Sequence, residues 1–316
     1  MLIGLSFTAI AILVLLGVLL DMRLGEATRW HPLVGFGNLA IRTEKKLNAG
    51  NHRFLRGSFA WLLIVLPFVA LTWTLIFLLA QFDMLIAFSV HALLLYFCLG
   101  LRSLRDHILP IACALMDDDL PQARTLTARI VSRDTTQAEE SDLAKAGVES
   151  LLENGNDAVF GTLFWFVIAG GPGAVLFRLA NTLDAMWGYR TPRFNDFGCA
   201  AARIDDALNF IPARLTALSY VLLGNTRLAW QCWRTQAPAW SSPNAGPVMS
   251  AGAGALNISL GGAAIYDGEV ERRPALGSGP LASRKDIARA WRLVALTTVL
   301  WVLVIFLISL AGAFYA

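Results

Sequence analysis

The sequence predicts an all-α, polytopic integral membrane protein, and three observations carry that expectation. Of its 316 residues 56% are hydrophobic and only 16% charged, with mean hydropathy +0.56, whereas a soluble domain carries about 25% charged residues. Four apolar stretches reach the roughly 20 residues that a helix needs to cross a bilayer. Basic residues cluster in some loops and are missing from others, as in chains with one set of loops in the cytoplasm.

The four expected spans are 2–20, 58–80, 84–101 and 293–314. The first lacks a basic start, and Asp21-Met22-Arg23 is no small-residue cleavage site, so it reads as a retained span rather than a signal peptide. The second contains Pro67, which neighbouring helices can accommodate by satisfying the freed backbone group. The third follows after only Gln81-Phe82-Asp83. The last is an uninterrupted apolar run to Phe314.

Loop charge sets the expected orientation. Segment 21–57 carries Arg23, Arg29, Arg42, Lys45, Lys46, Arg53 and Arg56, while the link at 81–83 has no positive charge. Arg102 and Arg105 follow the third span, and Arg284, Lys285, Arg289 and Arg292 precede the last. Both termini are then expected outside, with 102–292 on the cytoplasmic side of a bacterial inner membrane. Within that stretch, 159–176 and 207–224 are apolar but interrupted, by Gly-Gly-Pro-Gly at 170–173 and by Pro212 with Arg214. They read as a pair of broken, re-entrant or interfacial helices around a polar cavity, both crossing or neither. Gly and Pro concentrate at 241–280, which reads as loop. Residues 1–316 form one expected membrane domain, without repeats. The four cysteines have no zinc or redox spacing and read as reduced thiols. Aromatics and basic residues form no interleaved stripe, so nucleic acid is not an expected partner; the lipid bilayer is.

Candidate chemistry lies in polar groups set into this apolar chain. Glu149, Glu153 and Asp157 recur at helical spacing on one face. Like charges at that spacing repel, so a cation is needed beside them: Arg, Lys, or a magnesium ion bridging to phosphates. Asn181 and Asp184 share a helical face one turn after Arg178. The densest cluster holds Arg203, Asp205, Asp206, Asn209, Pro212 and Arg214. Adjacent Asp205 and Asp206 point different ways, so one can pair with Arg203 while the other faces a metal or a substrate amine. The small-residue stretch 241–262 allows an anion nest without being a Walker loop. Structural hydrogen-bond networks and solvated faces are the plain alternatives for each.

At these residues the sequence resembles the CobD/CbiB family of cobalamin biosynthesis, the membrane-bound adenosylcobinamide-phosphate synthases, over nearly the whole chain. The matching elements are His31-Pro32 to Gly37, Arg133-Asp134-Thr135, Glu149-Ser150 through Glu153-Asn154 to Asp157, Asn181–Asp184 with Gly188-Tyr189-Arg190, Ala202–Arg214, and Ser242–Gly262. Gly25-Glu26-Ala27 stands where the family usually has Gly-Asp-Pro. Pro247 and Met249 stand in place of an aromatic residue and a Glu, and Ala158 and Gly161-Thr162 in place of Gly and Ala-Pro.

The resemblance implies ATP-dependent amide ligation. A propionate of adenosylcobyric acid joins the amine of aminopropanol or its O-phosphate, giving adenosylcobinamide or its phosphate. ATP and Mg2+ are the implied cofactors. On that reading Glu153, Asp157 and one of Asp205/Asp206, with Asp206 preferred, hold magnesium. Arg203, Arg190 and Arg214 face phosphate or substrate carboxylate, with Arg133 also in the substrate site. Asp184 binds the ammonium and accepts its proton, and Asn181, Asn209 and Asn244 orient substrate. A homo-oligomer, or a complex with other late cobalamin-pathway membrane enzymes, is compatible with this reading. A non-enzymatic membrane sensor, like the AmpE relatives of the family, is the alternative; it would not need the Asp, Arg and Asn blocks together.

Overall fold

A computed structural model describes residues 5–27, 31–266 and 269–314. Residues 2–4 of the first expected span, and Arg29, lie outside the described residues. Helices dominate: α1 (Phe7–Leu24), α2 (Pro32–Leu47), α3 (Arg53–Phe82), α4 (Met84–Cys98), α5 (Leu101–Met116), α6 (Leu120–Thr127), α7 (Glu140–Gly155), α8 (Gly161–Trp187), α9 (Cys199–Leu223), α10 (Thr226–Gln236), α11 (Ala245–Leu256) and α12 (Arg284–Phe314). A π turn, Asn156–Phe160, joins α7 to α8. The chain divides into two units, one of residues 1–100, 161–209 and 302–316, the other of residues 101–160 and 210–301.

Among the described residues five helical stretches are long and apolar enough to cross a membrane: Phe7–Leu24, Arg53–Phe82, Met84–Met116, Glu140–Trp187 and Arg284–Gly312. Four of them coincide with the expected spans over most of their length. The fifth takes in 159–176, one of the two interrupted segments.

In the first unit, α8 is broken where Gly-Gly-Pro-Gly predicts. Ala169 leaves helical geometry, and Gly170 takes a positive φ of 60° that a side chain would resist. The break frees the Gly171 amide in a buried place, and it donates to His91 Nδ1 on α4 at 2.9 Å. His91 is 1% exposed, so this acceptor spares the amide a desolvation cost of about 1–3 kcal/mol. Gly57 of α3 lets the backbone of Phe197 approach so closely that a Cβ would sit 1.9 Å from its carbonyl oxygen.

In the second unit the core is built on small residues. All twelve residues of α11 are buried. Gly252 abuts Leu152 of α7, and Gly254 abuts the backbone of Ala229 on α10. Phe160, Tyr220 and Trp301 form an aromatic cluster, with ring centroids 6.4 and 5.4 Å from Phe160. The segment 241–280, expected as loop, instead forms α11 and an antiparallel hairpin of β1 (Ser259–Tyr266) and β2 (Glu269–Gly277). Its register slips at Gly261/Gly262, a bulge that their positive φ values permit. Glycine and alanine read as loop locally, yet they are what close packing demands here. All four cysteines are free.

Candidate functional site

The first unit holds Asn181 and Asp184 on α8, and Arg203, Asp205, Asp206 and Asn209 on α9, with Arg190 in the turn between those helices. Asp205 is 6% and Asn209 1% exposed. Asp205 accepts from Asn209 Nδ2 at 3.1 Å, one helical turn away, and from Asn181 Nδ2 at 3.4 Å across to α8. A buried carboxylate without such donors would carry a heavy desolvation cost; the two amides hold it in one orientation. Asp206 is half-buried, and its charge acts on the half-buried Asp184. Asp205 thus sits in an amide cradle between α8 and α9. Gly188 closes over this group: a Cβ there would lie 2.0 Å from Asp184 Oδ1 and 2.7 Å from its carbonyl oxygen. Arg190 and Arg203 are exposed.

His31 caps α2, its Nδ1 accepting from the Leu33 amide at 3.3 Å. Burial pushes its imidazole below the ordinary value, with Arg178 acting the same way and Glu26 opposing. A neutral ring is what an accepting Nδ1 needs.

The second unit holds Arg133, Glu153, Asp157, Arg214 and Asn244. Arg214 Nη1 donates to Asn244 Oδ1 at 2.8 Å and Nη2 to the Pro243 carbonyl at 3.0 Å, with the guanidinium 3.6 Å over the Phe210 ring. Two residues expected at the site are thus brought together, each orienting the other. Glu153 and Asp157 are half-buried on successive turns where α7 passes into the π turn. Asn156 Nδ2 donates to Asp157 Oδ1 at 2.9 Å and itself accepts from Thr216 at 2.9 Å. π turns recur at functional sites because they re-aim side chains.

Glu149, the first member of the acidic pattern, has a different surrounding. It is 2% exposed and accepts from Arg133, from Arg273 at 2.9 and 3.3 Å, and from the Gly261 amide at 2.7 Å. The cation that the acidic spacing demands is here a pair of guanidiniums. Arg273 escaped sequence reasoning: it lies 124 residues from Glu149 in a stretch without helical periodicity. The one available signal was the unbalanced acidic face. Beside this clamp is a cavity of about 270 Å3 lined by Arg133, Thr135, Gln137, Lys145 and Ala263 among others.

A resident metal can be tested on the ligands present. Among the described residues no three or more His, Cys, Asp or Glu side chains group to hold an ion on their own. Magnesium is usually held by one or two carboxylates and completes its octahedron with phosphate oxygens and water. Glu153 and Asp157 on consecutive turns fit that mode, and a closed protein cage does not.

Fold and site together define a polytopic helical membrane protein that carries buried acid–amide and acid–guanidinium clusters beside apolar spans. The chain matches the model of the family described as CobD/Cbib protein over residues 14–294, and it belongs to that family. It is similar to the cobalamin biosynthesis protein CobD of Stutzerimonas stutzeri (strain A1501), at 56% identity over 290 residues covering 91% of this chain and 94% of that one. The protein of the same name from Chromobacterium violaceum is 52% identical over 293 residues, with 90% and 92% covered. One from Rhodobacter capsulatus is 37% identical over 288 residues, with 86% and 90% covered. No solved structure matches this chain.

Proposed function

We propose that this chain works in cobalamin biosynthesis, converting adenosylcobyric acid to adenosylcobinamide or its phosphate by ATP-dependent amide bond formation with aminopropanol or its O-phosphate. The observation that carries the reading is the cluster on α8 and α9. Asp205 is held between Asn181 and Asn209, and on the same two helices Asp184 and Asp206 are half-buried carboxylates, the charge of Asp206 acting on Asp184. Two such carboxylates attract an ammonium, and one of them can take the proton that the amine must lose before it attacks. Asp184 is the residue assigned to that proton, with Asp206 holding the charge beside it.

ATP with Mg2+ supplies the activation that turns the substrate carboxylate oxygen into a leaving group. Glu153 and Asp157 would hold the ion, with phosphate oxygens and water completing its shell. Exposed Arg190 and Arg203 neutralise phosphate or carboxylate charge. Arg214 and Asn244 present a pre-oriented guanidinium and amide to the substrate. The reaction is assigned to the cytoplasmic face of a bacterial inner membrane, where ATP is available.

The test is growth rescue of a strain lacking this ligation step, with and without added cobinamide, alongside direct assay of amide formation in membranes. Asp206→Asn and Glu153→Gln should each abolish ligation while the protein stays inserted. Near-normal turnover in both would remove the magnesium assignment. Rescue that ignores the Asp205-Asp206 pair would favour a sensor.

A further inference from the structure

The second half of α9 and all of α10 carry a pattern that the ligation reading does not use. On α9 one face, with Ala213, Thr216, Ala217 and Tyr220, is fully buried. The opposite face exposes Ile211, Leu215, Leu218 and Leu222, at 39–62%. Their spacing of four, three and four residues makes one continuous stripe. Exposed Leu and Ile arranged this way need a partner other than water.

Contacts within the second unit place this stripe in depth. Ser219 Oγ accepts from Trp301 Nε1 of α12 at 3.0 Å. Trp301 lies eight residues past Leu293, where the charged start of α12 gives way to its apolar run, so about 12 Å along it at 1.5 Å per residue. The end of α9 lies back toward the charged start. The amide of Asn225 donates to the Ala255 carbonyl at 3.0 Å, and the next carbonyl, of Leu256, receives Arg289 of α12 at 2.6 Å. The helix thus climbs from the level of an apolar span to the level where α12 carries its arginines, and α10 begins there.

α10 has the composition of an interfacial helix. Ala229 and Cys232 are buried, with Ala229 against the backbone of Gly254 on α11, while Arg227, Trp230, Gln231 and Arg234 share the outward face and are exposed. Neither arginine has an ion pair among the described residues. From 207 to 266 the chain contains three arginines and no Asp or Glu in sixty residues. A basic, Trp-bearing face without any carboxylate is complementary to an anionic lipid surface.

We infer that this element is a membrane-interface anchor. The stripe of α9 lies against acyl chains, and α10 lies flat in the headgroup layer, with Trp230 seated among headgroups and Arg227 and Arg234 against anionic lipid phosphates. This goes beyond the ligation reading and does not depend on it.

The test uses the full chain in vesicles of phosphatidylethanolamine and phosphatidylglycerol, with exposed Cys113 and half-buried Cys199 replaced by Ser. A fluorescent thiol probe is placed at Leu218→Cys or Gln231→Cys, both exposed positions whose labelling leaves the core intact. The probe at 218 should be quenched by nitroxides in the acyl chain and shielded from aqueous iodide. The probe at 231 should be quenched by headgroup nitroxides, and more by labelled phosphatidylglycerol than by labelled phosphatidylcholine. Arg227→Gln and Arg234→Gln should each reduce that preference about fivefold, the effect of one basic residue at an anionic surface. Iodide quenching of both probes without lipid quenching would overturn the inference. So would efficient cross-linking between the 218 positions of two copies, which would make the stripe a protein interface.

Discussion

Replacing Glu149 by Gln is the perturbation whose size the structure defines best. The carboxylate is 2% exposed, and its partners Arg133 and Arg273 are 12% and 9% exposed at their side chains, so water cannot take over the lost interactions. The native group sets one negative charge against two positive ones and adds the Gly261 amide as a further donor. Glutamine keeps the shape and one acceptor oxygen, and removes the negative charge that both guanidiniums meet. Losing two charge-assisted hydrogen bonds at about 1.5 kcal/mol each sets a lower figure near 3 kcal/mol. The cost of leaving a buried ion unpaired sets an upper one of about 5 kcal/mol. Equilibrium unfolding in mixed micelles measures the difference. The double variant Glu149→Gln/Arg273→Met should recover part of the loss, since it removes one of the two cations that Glu149 neutralised. If Glu149→Gln unfolds within about 1 kcal/mol of the native protein, the clamp contributes no stability, and a buried charge network cannot be what ties the hairpin to α7.

Gly188→Ala should lower ligation by roughly a hundredfold with insertion intact, because the new methyl displaces the Asp184 carboxylate, and misplacement of about 1 Å costs that much; amide formation in membranes checks it. Glu44 is held below the ordinary carboxylate value chiefly by its hydrogen bonds to Arg193, at 2.6 and 3.0 Å. A depressed pKa means stability that is present above the ordinary glutamate value and is lost as pH falls through the folded one. Unfolding measured across that acid window should therefore steepen in the native protein and flatten in Glu44→Gln, with a difference of about 1 kcal/mol at neutral pH since Arg193 is largely exposed.

Much of the candidate site was visible in the chain because its partners are near neighbours. Asp205 and Asn209 are one helical turn apart, so their hydrogen bond follows from spacing alone. Asn181 and Asp184 share a helical face for the same reason. The break in α8 was legible too, since Gly-Gly-Pro-Gly cannot continue a regular helix. Other features had no local signature. His91 receives the amide freed by that break from 80 residues away, and no metal-ligand pairing pointed to it. The Glu44–Arg193 pair spans 149 residues and Glu149–Arg273 spans 124. A carboxylate announces that it needs a cation, but not which one will come.

What the amino-acid order determined by itself is the solvent each segment prefers. A stretch of about twenty apolar residues partitions into lipid whatever its neighbours do, so the spans and the membrane class were legible residue by residue. Motifs in fixed order likewise carried the family. Only the tertiary structure decided how the small-residue stretch from 241 to 280 is used. Glycine and alanine have weak preferences of their own, and they become a buried helix and a bulged hairpin because α7 and α10 approach too closely for anything larger. It also decided which arginines neutralise Glu149, because charge pairing depends on distance through space rather than along the chain.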